Sequence, residues 1–225
     1  MSKTIEDLFV VLRIVSDVAL VLIGLLLLKK LIRQRALCII LFSCLFDIIF
    51  YLVGEYLGLN QEFVPFFFCT FTIIEFIAFS YFFFYHVRSK QMRNVIIFTS
   101  LAFMIFNIVY TVFADFTAID SIPIGIETIL IFVFFFYYLF EQTNGDTSLI
   151  SYNKYELWIV TGIMIYLAGS FFISVLGNQV DTNTLGEFWP LTHALYVLKN
   201  IFFAVGIFTY IKQSKTSPPK PSSLN

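Results

Sequence analysis

Seven side chains in this sequence could do chemistry where their neighbours cannot. Lys199, His193 and Asn200 lie in the apolar stretch that follows Trp189, while Asp17, Asp47, Glu75 and Glu127 lie in four other stretches built mainly of Phe, Leu, Ile and Val. Each stretch is about twenty residues long, enough for a helix to cross a hydrocarbon core of about 30 Å. An ionisable group at such depth is costly unless paired, and by default marks a ligand, ion or proton site. Counting depth at about 1.5 Å per residue puts Asp17, Asp47, Glu75 and Lys199 in the middle third of their spans. Glu127, Asn107 and His193 come out in the outer third. Acids that meet one lysine at a common depth predict a polar centre shared among helices.

The spacings suggest how that centre is wired. Arg13 and Asp17 are four residues apart, so they share a helix face and can pair locally. Lys199 needs a partner from another span, and Asp47 and Glu75 are at the right depth. His193 and Asn200, seven apart, lie on one stripe. Four acids exceed what one lysine and one arginine can neutralise, so at least one acid carries a proton or faces water. Any one of these residues could also serve only to hold helices together in lipid. The whole set is harder to assign to that role alone.

Other site chemistries lack their parts. A metal centre needs about three ligands at one depth. The two histidines, His86 and His193, fall at opposite ends of their spans. A Ser or Cys nucleophile has no third group to complete it, so no enzymatic activity is expected. Cys38, Cys44 and Cys69 all lie inside apolar stretches and read as small buried hydrophobes.

The positioning elements follow from composition. Of 225 residues 59% are hydrophobic and only 13% charged, where a soluble domain carries about 25% charged. The prediction is an all-α membrane protein, a seven-helix bundle occupying residues 1–212. Its spans are expected at about 8–28, 36–56, 65–86, 95–113, 123–141, 157–176 and 188–211. The first span reads as an uncleaved signal anchor. Pro65, Pro123 and Pro190 each fall at the start of a span, where a missing N–H has no intrahelical partner. Residues 213–225, rich in Lys, Ser and Pro, are expected to be a disordered tail.

Loop charge predicts orientation. Lys29, Lys30, Arg33, Arg35, Arg88, Lys90, Arg93, Lys154 and Lys212 all fall on one side. The other side carries Glu62, Asp115, Asp120, Asp181 and Glu187. By the positive-inside rule the amino terminus is outside and the carboxyl terminus cytoplasmic. The basic residues form short clusters between spans and no continuous stripe, so nucleic acid is not an expected partner. The expected partners are the lipid bilayer and a cytoplasmic signalling protein reached through the basic loops and tail.

Lys199 in the seventh span resembles the Schiff-base lysine of microbial rhodopsins. The chain departs from that pattern, with Leu195 where those proteins carry an acid and Trp158 at the cytoplasmic end of its span. Retinal on Lys199 is therefore not expected, and no cofactor is. The runs Phe135–Gln142, Leu157–Tyr166 and His193 through Ile201 resemble uncharacterised bacterial seven-transmembrane proteins, similar to membrane input modules of two-component sensor systems. That resemblance implies a sensory or regulatory module in the bacterial inner membrane. The expectation is a centre that binds a small ligand or responds to protonation. The alternative is a small transporter or channel using the same acids and lysine as a proton or substrate path.

Overall fold

In a bilayer no water satisfies the backbone, so each apolar block must bond its own N–H and C=O groups as a helix. A computed structural model of the chain describes residues 3–56, 64–113, 121–144, 154–177 and 182–216. Among these residues there are eight helices and no strand. They are α1 (Lys3–Leu26), α2 (Leu28–Leu31), α3 (Arg35–Tyr56), α4 (Val64–His86), α5 (Lys90–Phe113), α6 (Ser121–Thr143), α7 (Tyr155–Gly177) and α8 (Thr182–Thr216). All but the single turn α2 are long and apolar enough to cross a membrane. The chain is a multi-pass membrane protein with a seven-helix bundle.

Several helices overrun the expected bounds: α1 begins at Lys3 where residue 8 is expected, and α5 and α8 overrun theirs for physical reasons. The fourth span was expected from residue 95, yet α5 begins at Lys90. The Ser89 hydroxyl accepts the Met92 N–H at 3.3 Å, and the Glu141 carboxylate accepts the Arg88 and Ser89 N–H groups at 2.7 and 2.9 Å. These bonds start the helix among polar residues that hydropathy alone excludes. The seventh span was expected at 188–211, but α8 runs from Thr182 to Thr216 and holds Pro190 inside it. The apolar part does begin at Pro190, so the fall in hydropathy marks the membrane edge and not the helix end. The first four residues of the expected tail, 213–216, are helical. Glu62, Asp115, Asp120, Asp181 and the tail from Ser217 lie outside the described residues, as do the side chains of Glu187 and Trp189.

The helices pack as a ring, in the order α1, α3, α4, α6, α7, α8 and back to α1. α5 sits outside the ring against α4 and α6. The tightest seam is α7 on α8, where glycines bring the backbones together. A Cβ on Gly162 would lie 3.0 Å from Phe202 Cβ and 3.2 Å from the Lys199 carbonyl oxygen. Neither neighbour can swing away. Gly162→Ala is expected to lower stability by about 1–3 kcal/mol through overpacking, measured as an earlier unfolding midpoint in mixed detergent micelles. Gly54→Ala is the control, since its nearest neighbour would be a Phe67 ring atom at 3.4 Å.

The aromatic blocks divide by periodicity. Phe82, Phe83 and Phe134 are fully buried, whereas Phe66, Phe68 and Phe136 point outward. Tyr138 is buried too and belongs to the core. Cys44 is buried, and all three cysteines are free thiols.

The interior is split across its thickness. α1, α4, α6 and α8 begin on the side whose loops are acidic in sequence, here called the acidic face. Arg13, Asp17, Asp47, Glu75, Asn107, Glu127, His193, Lys199 and Asn200 are all buried, and all lie at mid-span or toward that face. The half toward the basic face is filled by Ile40, Phe79, Phe82, Phe83, Ile159, Ile163, Phe203 and Ile207, each buried completely.

Candidate functional site

The centre is assembled from five helices. Lys199, on α8, donates to Asp47 Oδ2 of α3 at 2.9 Å and lies 3.8 Å from Glu75 Oε1 of α4. Its side chain is 1% exposed, so the ammonium cannot reach either surface and depends on these two acids. On α7, the Tyr166 hydroxyl donates to Glu75 Oε2 at 3.0 Å and is hydrogen-bonded to the Tyr196 hydroxyl at 2.9 Å. The ammonium also lies over the Tyr166 and Tyr196 rings, 4.4 and 4.5 Å from their centroids. Two carboxylates and two ring faces thus share one cation, and the rings add cation–π attraction that strengthens away from water.

A second layer ties α1 to α8. Arg13 Nε lies 3.8 Å from Asp17 Oδ2, as the four-residue spacing predicts. The guanidinium also packs over the Tyr196 ring at 3.9 Å and the Tyr51 ring at 4.9 Å. Arg13 Nη1 points at His193 Nδ1, 3.5 Å away. Asn200 Nδ2 donates to Asp17 Oδ1 at 2.5 Å and to Ser16 Oγ at 2.9 Å. His193 and Asn200 therefore do form one stripe, and it faces α1. The ring of Tyr196 touches both buried cations, so it is the side chain through which the Arg13–Asp17 and Lys199–Asp47–Glu75 groups meet.

Of the expected residues, Asp17, Asp47, Glu75, His193, Lys199 and Asn200 are joined in this network. Glu127, on α6, is buried and within electrostatic reach of Glu75 and Lys199. Its Oε1 has no hydrogen-bond partner among the described residues. The same holds for Asn107 Nδ2 on α5. Among the described residues no group of His, Cys, Asp and Glu is arranged to hold a metal ion.

Sequence reasoning counts Tyr166 among the intramembrane polar groups without giving it a partner, and leaves Tyr196 out. Their signals were depth and spacing: Tyr196 is three residues before Lys199, and Tyr166 is at mid-span. It also left out a second polar cluster at the basic face. There His86 donates from Nδ1 to the Phe82 carbonyl at 2.7 Å, which leaves Nε2 to accept the Tyr155 hydroxyl at 2.9 Å. Gln34 Nε2 donates to the same hydroxyl, and Tyr85 donates to Gln34 Oε1 at 3.3 Å. The Tyr155 ring meets Tyr210 of α8 edge-on at 5.1 Å. This cluster pins the start of α7 to the end of α4 and to the lower part of α8.

These features define a seven-helix membrane protein with a charged network buried on one side of an apolar layer. No protein-family model matches the chain, and neither curated proteins nor solved structures give a match.

Proposed function

We propose that this chain is a sensory or regulatory membrane module whose polar centre responds to a small ligand or to protonation arriving from the acidic face. In this reading that face is external, the carboxyl-terminal end of α8 is cytoplasmic, and the membrane is a bacterial inner membrane. The observation that carries the proposal is the one-sided interior. The charged groups approach the acidic face, while Phe79, Phe82, Phe83 and Phe203 fill the other half. A through-path for ions would need polar groups along its whole length. A one-sided centre fits a receiver that moves a helix.

The moving element would be α8. It carries Lys199, Asn200 and Tyr196 in the centre and runs on to the basic face, where Tyr210 meets Tyr155. A change in proton or ligand occupancy that weakens the Lys199 pairs alters the contacts holding α8 against α3 and α4. The differential contact energy of the two pairings then sets the shift. Output would pass to a separate cytoplasmic partner through the basic loops and the end of α8.

The test uses spin labels at Gln213 on α8 and Gln91 on α5, in a background whose three cysteines are replaced. In proteoliposomes, acidifying the medium at the acidic face should change the label-to-label distance. Asp47→Asn should abolish the response while the protein stays folded. An unchanged distance across the pH range, together with acid-driven flux that disappears in Glu75→Gln, would favour a transporter or channel instead.

A further inference from the structure

Among the described residues, two buried polar groups on α5 and α6 toward the acidic face lack hydrogen-bond partners. Glu127 Oε1 and Asn107 Nδ2 make no hydrogen bond among the described residues, although their residues are 2% and 1% exposed. Both are six residues from the acidic-face end of their helices, Glu127 from Ser121 and Asn107 from Phe113. Counted along their helices they come to a similar depth, on the adjacent helices α6 and α5. Asn107 is held against α4, where the Cys69 thiol lies 3.9 Å from its carbonyl oxygen, and one turn deeper the Phe103 ring packs on Phe76 at 4.3 Å. Phe76 directly follows Glu75, whose Oε1 makes no hydrogen bond among the described residues and faces the Lys199 ammonium at 3.8 Å.

The hydrogen-bonding capacities of these atoms are complementary to one species. Asn107 Nδ2 is a donor, and the carboxylate oxygens of Glu127 and Glu75 are acceptors. A water accepts the amide N–H and donates to a carboxylate, and a buried water takes about three such partners. Charge adds a second condition. Among the described residues the buried carboxylates Asp17, Asp47, Glu75 and Glu127 face only two buried cations, Arg13 and Lys199. Arg13 lies against Asp17, and Lys199 is already shared by Asp47 and Glu75. Glu127 is the acid that no cation contacts among the described residues.

We propose that Glu127, with Asn107 and Glu75, forms a hydrated proton-binding site, and that the proton is the ligand of the polar centre. The site itself stands on the geometry; the proton's role as the sensed ligand rests on the reading given under Proposed function. No covalent bond other than O–H forms or breaks: a proton from water at the acidic face is taken up by the Glu127 carboxylate. The charged and titratable groups around the pair are Asp47 of α3, Tyr166 of α7, Tyr196 and Lys199 of α8, and Arg13 of α1. A proton at Glu127 removes one negative charge from their field. Lys199 then loses part of the attraction drawing it toward α4 and α6, and the pair with Asp47 gains weight.

Infrared spectra of the full chain in proteoliposomes test this through the C=O stretch of a protonated carboxyl group. The wild type should show such a band, sensitive to deuterium exchange, that changes when the medium at the acidic face is acidified. Glu127→Gln should remove it, Glu127→Asp should move it in frequency, and Asn107→Leu should shift it by removing the bridging water. A band identical in the wild type, Glu127→Gln and Glu127→Asp overturns the site, whatever the spin labels on α8 report. A band lost in Glu127→Gln and moved in Glu127→Asp supports the site even if α8 does not move, in which case only the sensory reading fails.

Discussion

Lys199→Met is expected to destabilise the protein by about 3–5 kcal/mol at neutral pH, the usual cost of removing one partner of a buried ion pair. The methionine side chain is unbranched and only one heavy atom shorter than lysine, so packing is largely kept and the loss is mainly electrostatic. Asp47 and Glu75 are both left facing each other across the space the ammonium held, 2.9 and 3.8 Å from their oxygens. Each is then a buried carboxylate without a cation. The sign of the pH dependence follows. Protonating either acid removes an uncompensated charge from the folded variant, so its stability relative to the wild type rises as pH falls. The deficit should shrink on acidification, opposite to a simple packing defect. Lys199→Met combined with Asp47→Asn should recover a large part of the loss, because one uncompensated charge is removed with its partner. Unfolding in mixed detergent micelles at several pH values measures all three variants. A deficit in Lys199→Met that does not depend on pH would show that the ammonium does not balance these acids.

The second large effect is expected at the apolar layer. Phe203 is completely buried, and its ring edge would lie 3.1 Å from a Cβ placed on Gly162. Phe203→Ala therefore opens a cavity directly beneath Lys199, one turn away on the same helix. In water-soluble cores such a truncation costs about 3–5 kcal/mol. In lipid the transfer part is smaller, because the acyl chains are as apolar as the core, and lost packing remains. The lower end, about 3 kcal/mol, is the expectation. The functional effect is separate from stability: a gap there lets water approach the centre from the basic face. Liposomes carrying Phe203→Ala and an internal pH dye should leak protons, whereas the wild type should not. Equal leak rates in the two would remove the Phe layer as the barrier between the centre and the basic face.

The fold was legible because the bilayer imposes one length on every span, and seven apolar blocks of that length stand out. What hydropathy could not show were the polar extensions. Lys90–Asn94 is helical because Ser89 and Glu141 cap it, and Glu141 is on another helix 52 or 53 residues away in sequence. Much of the centre was legible for the same reason, since a charge inside an apolar block is conspicuous. The Arg13–Asp17 pair follows from helical spacing, and Lys199 with Asp47 and Glu75 from depth. Tyr166 and Tyr196 were harder because tyrosine is unremarkable in a chain with 12 of them. Only the packing of α7 on α8 shows that their hydroxyls meet. Gln34, His86 and Tyr155 were missed because each comes from a different loop–helix junction, and no local spacing links them.

The position of Lys199 on α8, after the four acid-bearing helices in chain order, also has a consequence for biosynthesis. A chain made from its amino terminus inserts α1, α3, α4 and α6, and with them Asp17, Asp47, Glu75 and Glu127, before the lysine has been translated. For that interval the nascent bundle holds its acids with Arg13 as the only buried cation of the network yet made. Glycine packing then lets α8 lie close against α7, and its arrival delivers the missing charge and the missing wall together. The charge network is therefore completed in one late step, and a chain interrupted before α8 differs from one that includes it in charge as well as in shape.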